Sequence, residues 1–213
     1  MTESAPIDDA AAAARGGDAA AASSRAAREL LDAALAHTIA TLAHDLRNAL
    51  GVVSMQVEVI AVRAAAAAPD VAGIAANASV AAEHIERLAD MTNAMIAFAK
   101  GRTSSDLSVI IAEAAALVPL RQISVSRVAG ATVDVDPVLT RAVALEVLIL
   151  TLDQRAAPEF LITTDPGGST LRVVAGVPLV ADEALEWVVQ FRNAGGRIDS
   201  TEDGLRLQFP PIA

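Results

Sequence analysis

The chain has 213 residues, which is enough for one large domain or two small ones with real cores. It contains no cysteine, which excludes disulfides and thiolate catalysis, and its three scattered histidines make a poor zinc site, so we expect no metal. The net charge of -10 disfavours nucleic acid as a partner, and no apolar run approaches the roughly 18 residues of a membrane span. We therefore expect protein partners, no nucleic acid and no membrane.

The N-terminal segment, residues 1–24, is rich in alanine and has no large apolar residue beyond Ile7. It has nothing to bury, so we predict a disordered lead or a frayed helix. It also lacks the basic and apolar segments of a secretory signal, which favours a cytoplasmic protein.

Two long helices, each with one apolar stripe, are predicted within residues 25–103. Apolar residues recur at spacings of three and four in both, and Pro69-Asp70 separates them. The stripe of the first helix, here called the long seam, comprises Leu31, Leu35, Ile39, Leu42, Leu46, Leu50, Val53, Val57 and Ile60. Neither helix can bury its stripe alone. We therefore predict a hairpin that forms a homodimer through a four-helix bundle.

From residue 104 to residue 213, short strand-like and helix-like segments alternate, which predicts a separate α/β domain. We expect helices at 107–117, 138–154 and 182–193, and strands at 123–128, 132–135, 197–200 and 205–209, with two more strands flanking a hairpin turn at 165–168. Asp136-Pro137 supplies a cap and a first-turn proline to the second of these helices, and Gly195-Gly196 ends the third.

The residues that carry chemistry lie in the first predicted helix, where His44 falls between two positions of the long seam and should face solvent. Arg47 and Asn48 share its face, while Asp45 projects about 100° around the helix. A neutral imidazole is a good nucleophile near pH 7, and a neighbouring carboxylate can orient its ring proton. Arg47 and Asn48 can steady a transferring phosphoryl group. The same residues also fit an ordinary solvated helix face.

Residues 44–50, His-Asp-Leu-Arg-Asn-Ala-Leu, resemble the H-box of bacterial sensor histidine kinases, which usually reads His-Glu/Asp-x-Arg-Asn/Thr-Pro-Leu. The second helix resembles the second helix of their dimerisation domain. Residues 135–137 and 195–210 resemble the N-box start and the closing hairpin of their ATP-binding domain. The resemblance covers residues from about 25 to 211, and it implies a helical hairpin followed by a degenerate ATPase-like α/β sandwich.

By this resemblance His44 is the phosphoacceptor and Asp45 is the acidic neighbour that assists its imidazole. Asn48 tunes transfer and dephosphorylation, and Arg47 matches the family's arginine. Ala49 stands where the family usually has proline, which implies a straighter helix below the site.

The nucleotide motifs of these kinases are missing. Glu146 and Leu150 stand where magnesium-binding asparagines of the N-box are expected, and leucine offers no oxygen to the metal. No acid occurs between Leu171 and Ala181, where the adenine-reading box is expected, and the chain has no Gly-x-Gly phosphate loop. We therefore expect no ATP binding and no cofactor.

A second set of residues follows the His44 face toward the end of the helix. This docking stripe comprises Gly51, Val52, Met55 and Val59. Receiver domains dock just below the phosphoacceptor in the kinases that the chain resembles, so we predict that this stripe binds a receiver domain. The alternative is that the long seam is simply wide here.

A kinase-like chain without nucleotide motifs is similar to the histidine phosphotransferases of phosphorelays. The leading hypothesis is therefore that His44 exchanges phosphoryl groups with receiver-domain aspartates of response regulators. One alternative is a non-catalytic pseudokinase that binds or regulates response regulators or kinases. Another is a histidine kinase with a diverged nucleotide site. His37 is predicted to be a bystander, His84 a surface residue and Trp187 a core or interface residue.

Overall fold

The computed structural model describes residues 8–100, 104–118, 123–127, 131–152, 158–165 and 168–210, with the backbone alone for residues 8–20 and 127. Its elements are α1 (Asp8–Ala64), α2 (Val71–Lys100), α3 (Leu107–Ala115), β1 (Ser124–Arg127), α4 (Pro137–Leu152), β2 (Glu159–Asp165), β3 (Gly168–Val174), α5 (Glu186–Asn193), β4 (Arg197–Thr201) and β5 (Gly204–Phe209). The protein thus combines helices with one five-stranded sheet in an α+β fold. Among the described helices, none combines the length and apolar character that crossing a membrane requires.

The helix α1 begins at Asp8, so residues 8–24, for which a disordered lead or a frayed helix was predicted, are helical. Alanine has the highest helix propensity, and the alanine-rich segment continues the backbone hydrogen bonds of α1 although it has little to bury. The connection to α2 is closed by Asp70, whose Oδ1 accepts from the N–H of Gly73 at 3.0 Å as an N-cap does. Arg63 Nη1 also donates to Asp70 Oδ2 at 3.1 Å.

α1 and α2 pack against each other and form what we call the hairpin. α2 has 30 residues, so it can cover α1 only from Ala64 back to about residue 34. Ala27, Leu30 and Leu31 are nevertheless buried. These residues share one buried core with residues of α4 and α5, and both of these helices contact α1. The N-terminal half of α1 therefore packs against helices that follow the two long helices in the chain.

Residues 104–210, here called the sheet region, contain a sheet with the strand order β1-β2-β3-β5-β4. β1 and β2 are parallel, with α4 as their crossover, and the other neighbours are antiparallel. One face of the sheet packs on the helices through Phe160, Ile162, Leu171, Val173, Leu205, Leu207 and Phe209, which are all buried. The other face is open and lines a polar concavity of about 440 Å³.

Several predicted elements of the sheet region are confirmed. Asp136 Oδ1 accepts from the N–H of Val138 at 2.7 Å, and Pro137 is the first residue of α4. β4 and β5 are found where they were expected, and Gly195 ends α5 with a φ of 85°. β2 and β3 pair up to Asp165 and Gly168, while the predicted turn residues 166 and 167 lie outside the described residues.

Two predicted elements are wrong in part. Residues 132–135 form no strand, because the backbone here pairs with the start of α3: Leu107 N–H donates to Ala131 O, and Val133 N–H donates to Ser105 O, each at 2.9 Å. The alternating burial of Ala131 and Val133 imitates a strand. The predicted helix from residue 182 begins only at Glu186, because residues 182–185 form a turn in which the backbone carbonyl of Asp182 accepts from Leu185.

Candidate functional site

His44 faces solvent from the middle of α1, as its position relative to the long seam predicted. Its side chain is 75% exposed. The ring is not isolated, since Nδ1 lies 3.1 Å from Asn48 Nδ2 and 3.5 Å from Asp45 Oδ1. No described residue hydrogen-bonds Nε2, so this nitrogen is open to a reacting partner.

The two neighbours of Nδ1 favour opposite tautomers of the neutral imidazole. When Nδ1 carries the proton it can donate to the Asp45 carboxylate, and the lone pair of Nε2 is then free to attack. When Nε2 carries the proton, Nδ1 accepts from the Asn48 amide, and the exposed nitrogen cannot act as a nucleophile. Asp45 and Asn48 therefore compete for one atom, and the outcome decides whether the outward nitrogen is reactive.

Arg47 is exposed one turn from His44. It makes no ion pair or hydrogen bond to any residue that the structure describes, so its guanidinium remains available. A planar guanidinium matches the oxygens of a phosphoryl group in two parallel hydrogen bonds. Of the four residues that the sequence proposed for phosphoryl chemistry, the structure places Asp45 and Asn48 against the His44 ring and leaves Arg47 exposed one turn away.

The predicted docking stripe divides between two surfaces. Gly51 and Met55 point outward with His44, and Met55 is 52% exposed. A methyl group added at Gly51 would meet nothing within 4 Å, so the surface there is open. Val52 and Val59 are half-buried and turn toward the side of α1 on which Ala49 is buried. Only the outer half of the stripe is therefore accessible beneath His44.

The long seam is only partly buried within the chain. Leu31 and Leu42 are buried, but Leu50 is 56% exposed, and Ile39 and Val57 are exposed as well. On α2 the exposed apolar side chains include Val80, Ile85 and Ile96. The hairpin therefore presents apolar side chains from both helices to solvent.

The sequence did not single out the contact between the sheet region and the helix that carries His44. Glu146 of α4 is half-buried, and this burial raises the pKa of its carboxyl, while the charge of His37 partly lowers it. His37 lies seven residues before His44, or about 10.5 Å along the same helix. α4 therefore approaches α1 about two turns from His44.

Residues 175–185, which follow β3, are held by the turn before β5 and by the first residue of that strand. The N–H groups of Ala175 and Gly176 both donate to the carbonyl of Asp203, and that of Leu179 donates to the carbonyl of Gly204. These three donors are therefore already occupied.

Two other predicted roles have different outcomes. His84 is not a surface residue, because it is half-buried, and its Nδ1 is inaccessible and without a partner among the described residues. The sequence predicted exposure of His84 because the charged residues Glu83 and Glu86 lie close to it, and these two side chains are exposed. Trp187 is buried in the core, as predicted.

A scan of the sequence against protein-family models finds no matching family. No curated protein matches it either.

Proposed function

We propose that the protein is a phosphorelay histidine phosphotransferase that exchanges phosphoryl groups between His44 and receiver-domain aspartates of response regulators, without ATP. The observation that carries the proposal is the exposed His44 ring, whose Nδ1 lies within 3.5 Å of both Asp45 and Asn48. A solvent-facing imidazole with a carboxylate near one nitrogen, and with no described residue bonded to the other, suits attack on an incoming phosphoryl group.

The transfer step is a direct exchange. The Nε2 lone pair of His44 attacks the phosphorus of an aspartyl phosphate, and the bond between phosphorus and the aspartate oxygen breaks as the N–P bond forms. The aspartate leaves as a carboxylate, and the proton on Nδ1 stays on the ring, where Asp45 stabilises the positive charge that develops. Arg47 offsets the negative charge on the phosphoryl oxygens. The reverse sequence returns the group to another receiver.

We further propose a cytoplasmic homodimer in which two hairpins form a four-helix bundle. The exposed apolar side chains of the long seam and of α2 support this assembly, because each hairpin leaves them uncovered. A second copy would cover both stripes at once.

The sheet region is, in this proposal, an ATPase-like domain that has lost its nucleotide site. The mixed sheet with helices on one face is compatible with such a fold. Leu150 offers no metal ligand, and the half-buried Glu146 carboxylate is left without the second N-box ligand that magnesium would need. The N–H groups of Ala175, Gly176 and Leu179 already donate to backbone carbonyls, so these three are not available to bind phosphate.

The test is incubation with phosphorylated receiver domains, followed by detection of acid-labile label on the chain. We expect label on the wild-type protein and on His37→Ala, which removes the other exposed histidine of this face of α1, and none on His44→Ala. Label that persists on His44→Ala would overturn the assignment. A wild-type chain that binds receivers but never accepts label would instead indicate the non-catalytic scaffold.

A further inference from the structure

Arg141, in α4, is the one charged side chain that is fully buried among the described residues. Its Nη1 donates to the backbone carbonyl of Phe98 at 3.1 Å, and its Nη2 donates to Glu113 Oε2 at 2.6 Å. The guanidinium also lies 4.9 Å from the centroid of the Phe98 ring. One side chain thus joins the last turn of α2 to both α3 and α4.

Stability alone does not explain why an arginine is buried at this position. A buried guanidinium loses its hydration, and the Nε of Arg141 is buried without a partner among the described residues. Apolar replacements of buried ion pairs are often neutral or stabilising. The planar guanidinium, however, fits only one arrangement of the Phe98 carbonyl and the Glu113 carboxylate. Its bonds therefore restrict how the sheet region can sit on the hairpin.

The restricted orientation matters because α4 lies close to the phosphotransfer site. α4 packs on α1, and His37 of α1, about 10.5 Å along the helix from His44, is near enough for its charge to act on Glu146 of α4. A globular domain of about 100 residues has a radius of gyration of about 13 Å. A receiver domain seated over His44 is wide enough to meet the neighbouring sheet region, whose orientation then decides whether the receiver fits.

We propose that Arg141 is a clamp that locks the sheet region in one orientation against the hairpin, so that the sheet region forms a fixed flank beside His44 for the incoming receiver. This inference rests on the proposed function. It makes Arg141 a positioning residue, which acts on receiver capture and leaves the reactivity of His44 unchanged. A mobile nucleotide-binding domain would have no use for such a lock.

The lock itself is tested by distance measurements between spin labels. The chain has no cysteine, so Glu58→Cys on α1 and Glu202→Cys in the β4–β5 turn, both exposed, give two unique labelling sites. Unlabelled chain in excess isolates the distance within one protomer. We expect a narrow distribution for the otherwise wild-type chain and a broad one after Arg141→Met. The matched control, Arg192→Met, removes an arginine that pairs with Glu183 on the surface and should leave the distribution narrow.

A second variant covers the case in which Arg141→Met does not fold. Glu113→Gln removes the charge that faces Arg141 but keeps an oxygen acceptor of the same shape, so we expect a folded protein with an intermediate width. Circular dichroism and the thermal midpoint establish that each variant is folded. A narrow distribution in every folded variant would overturn the clamp.

The consequence for receiver capture is tested by kinetics. If the released sheet region holds the competent orientation about one-tenth of the time, the apparent affinity for the receiver falls about tenfold. We therefore expect Arg141→Met to raise the KM for a phosphorylated receiver about tenfold with kcat nearly unchanged. Labelling of His44 by phosphoramidate, a small donor, should keep its wild-type rate.

The outcomes separate the two proposals. A broad distance distribution with an unchanged KM would overturn the fixed flank. A wild-type chain that takes phosphoryl from no receiver, but whose distances broaden on Arg141→Met, would overturn the proposed function and support the clamp as a structural lock. Slower labelling by phosphoramidate in Arg141→Met would overturn the positioning role, because Arg141 would then affect the reactivity of His44 itself.

Discussion

At the scale of single residues, the site depends on which neighbour holds His44 Nδ1. The Asn48 amide is the closer, at 3.1 Å, and the Asp45 carboxylate lies at 3.5 Å. The contact with Asn48 favours the tautomer with the proton on Nε2. The contact with Asp45 favours the tautomer with the proton on Nδ1, in which Nε2 can attack. The sequence predicted that these residues surround the ring, because helical spacing fixes it. It did not predict that they compete, since that depends on the rotamers of both side chains.

Substitution of each neighbour should therefore shift the tautomer in opposite directions. Asp45→Asn removes the carboxylate that stabilises the Nδ1 proton, and we expect transfer to slow by roughly 10²-fold. Asn48→Ala removes the competing donor and should raise the fraction with the proton on Nδ1. Long-range ¹⁵N–¹H NMR spectra of His44 report the tautomer, with His37 as an internal reference. An Asn48→Ala protein with an unchanged tautomer would contradict this competition.

The Glu146 carboxyl makes a prediction about pH and stability. Because burial raises its pKa above the ordinary value of 4.5, the folded state binds this proton more tightly than the unfolded state does. This contribution to stability is complete below the unfolded pKa and is lost as the pH rises through the folded pKa. Glu146→Gln never ionises, so it should raise the melting temperature at pH 7, and this gain should shrink toward pH 4. Glu86→Gln, at an exposed position, is the control in thermal scans at both pH values.

At the scale of elements, the sequence predicted helix ends correctly where one or two residues decide the position of the end. Asp136 and Pro137 start α4, and Gly195 ends α5, because a cap, a fixed φ and a left-handed turn need no distant contact. The strand predicted at 132–135 failed because its partner is the start of α3, which a local pattern does not identify. Likewise, the sequence could not predict which residues of the docking stripe are accessible, because their exposure depends on how α2 packs on α1.

The two exposed faces of α1 predict two separable lesions. Met55 lies on the His44 face and Leu50 on the long seam, and both are about half exposed in the single chain. Met55→Glu should weaken receiver binding by several kcal/mol, because it buries an unpaired charge in that contact, and should leave the dimer intact. Leu50→Glu should instead dissociate the dimer. Light scattering and receiver titrations on both variants measure these effects, and a monomeric Met55→Glu protein would place Met55 in the bundle.

At the scale of the whole molecule, the sequence predicted the mixture of helices and sheet but not how the two parts join. Apolar periodicity showed that the hairpin has more apolar surface than it can bury. It did not show that the first part of the long seam packs on the sheet region, as Leu31 does, while Leu50 stays exposed. The sequence did not predict the burial of Arg141 either, because a lone arginine in a helix is usually a surface residue. Contacts between residues distant in sequence decide both features.

The residues of the sheet region also predict how the molecule responds to nucleotide. Its backbone donors at residues 175, 176 and 179 are occupied, and Leu150 supplies no metal ligand. We therefore expect no heat in calorimetry with ATP and magnesium, and no change in melting temperature. If ATP bound with a dissociation constant of about 10 μM, about 1 mM nucleotide would stabilise the fold by about 2.7 kcal/mol. A thermal scan detects such a shift readily, and finding it would favour a kinase with a diverged nucleotide site over a phosphotransferase whose sheet region flanks His44.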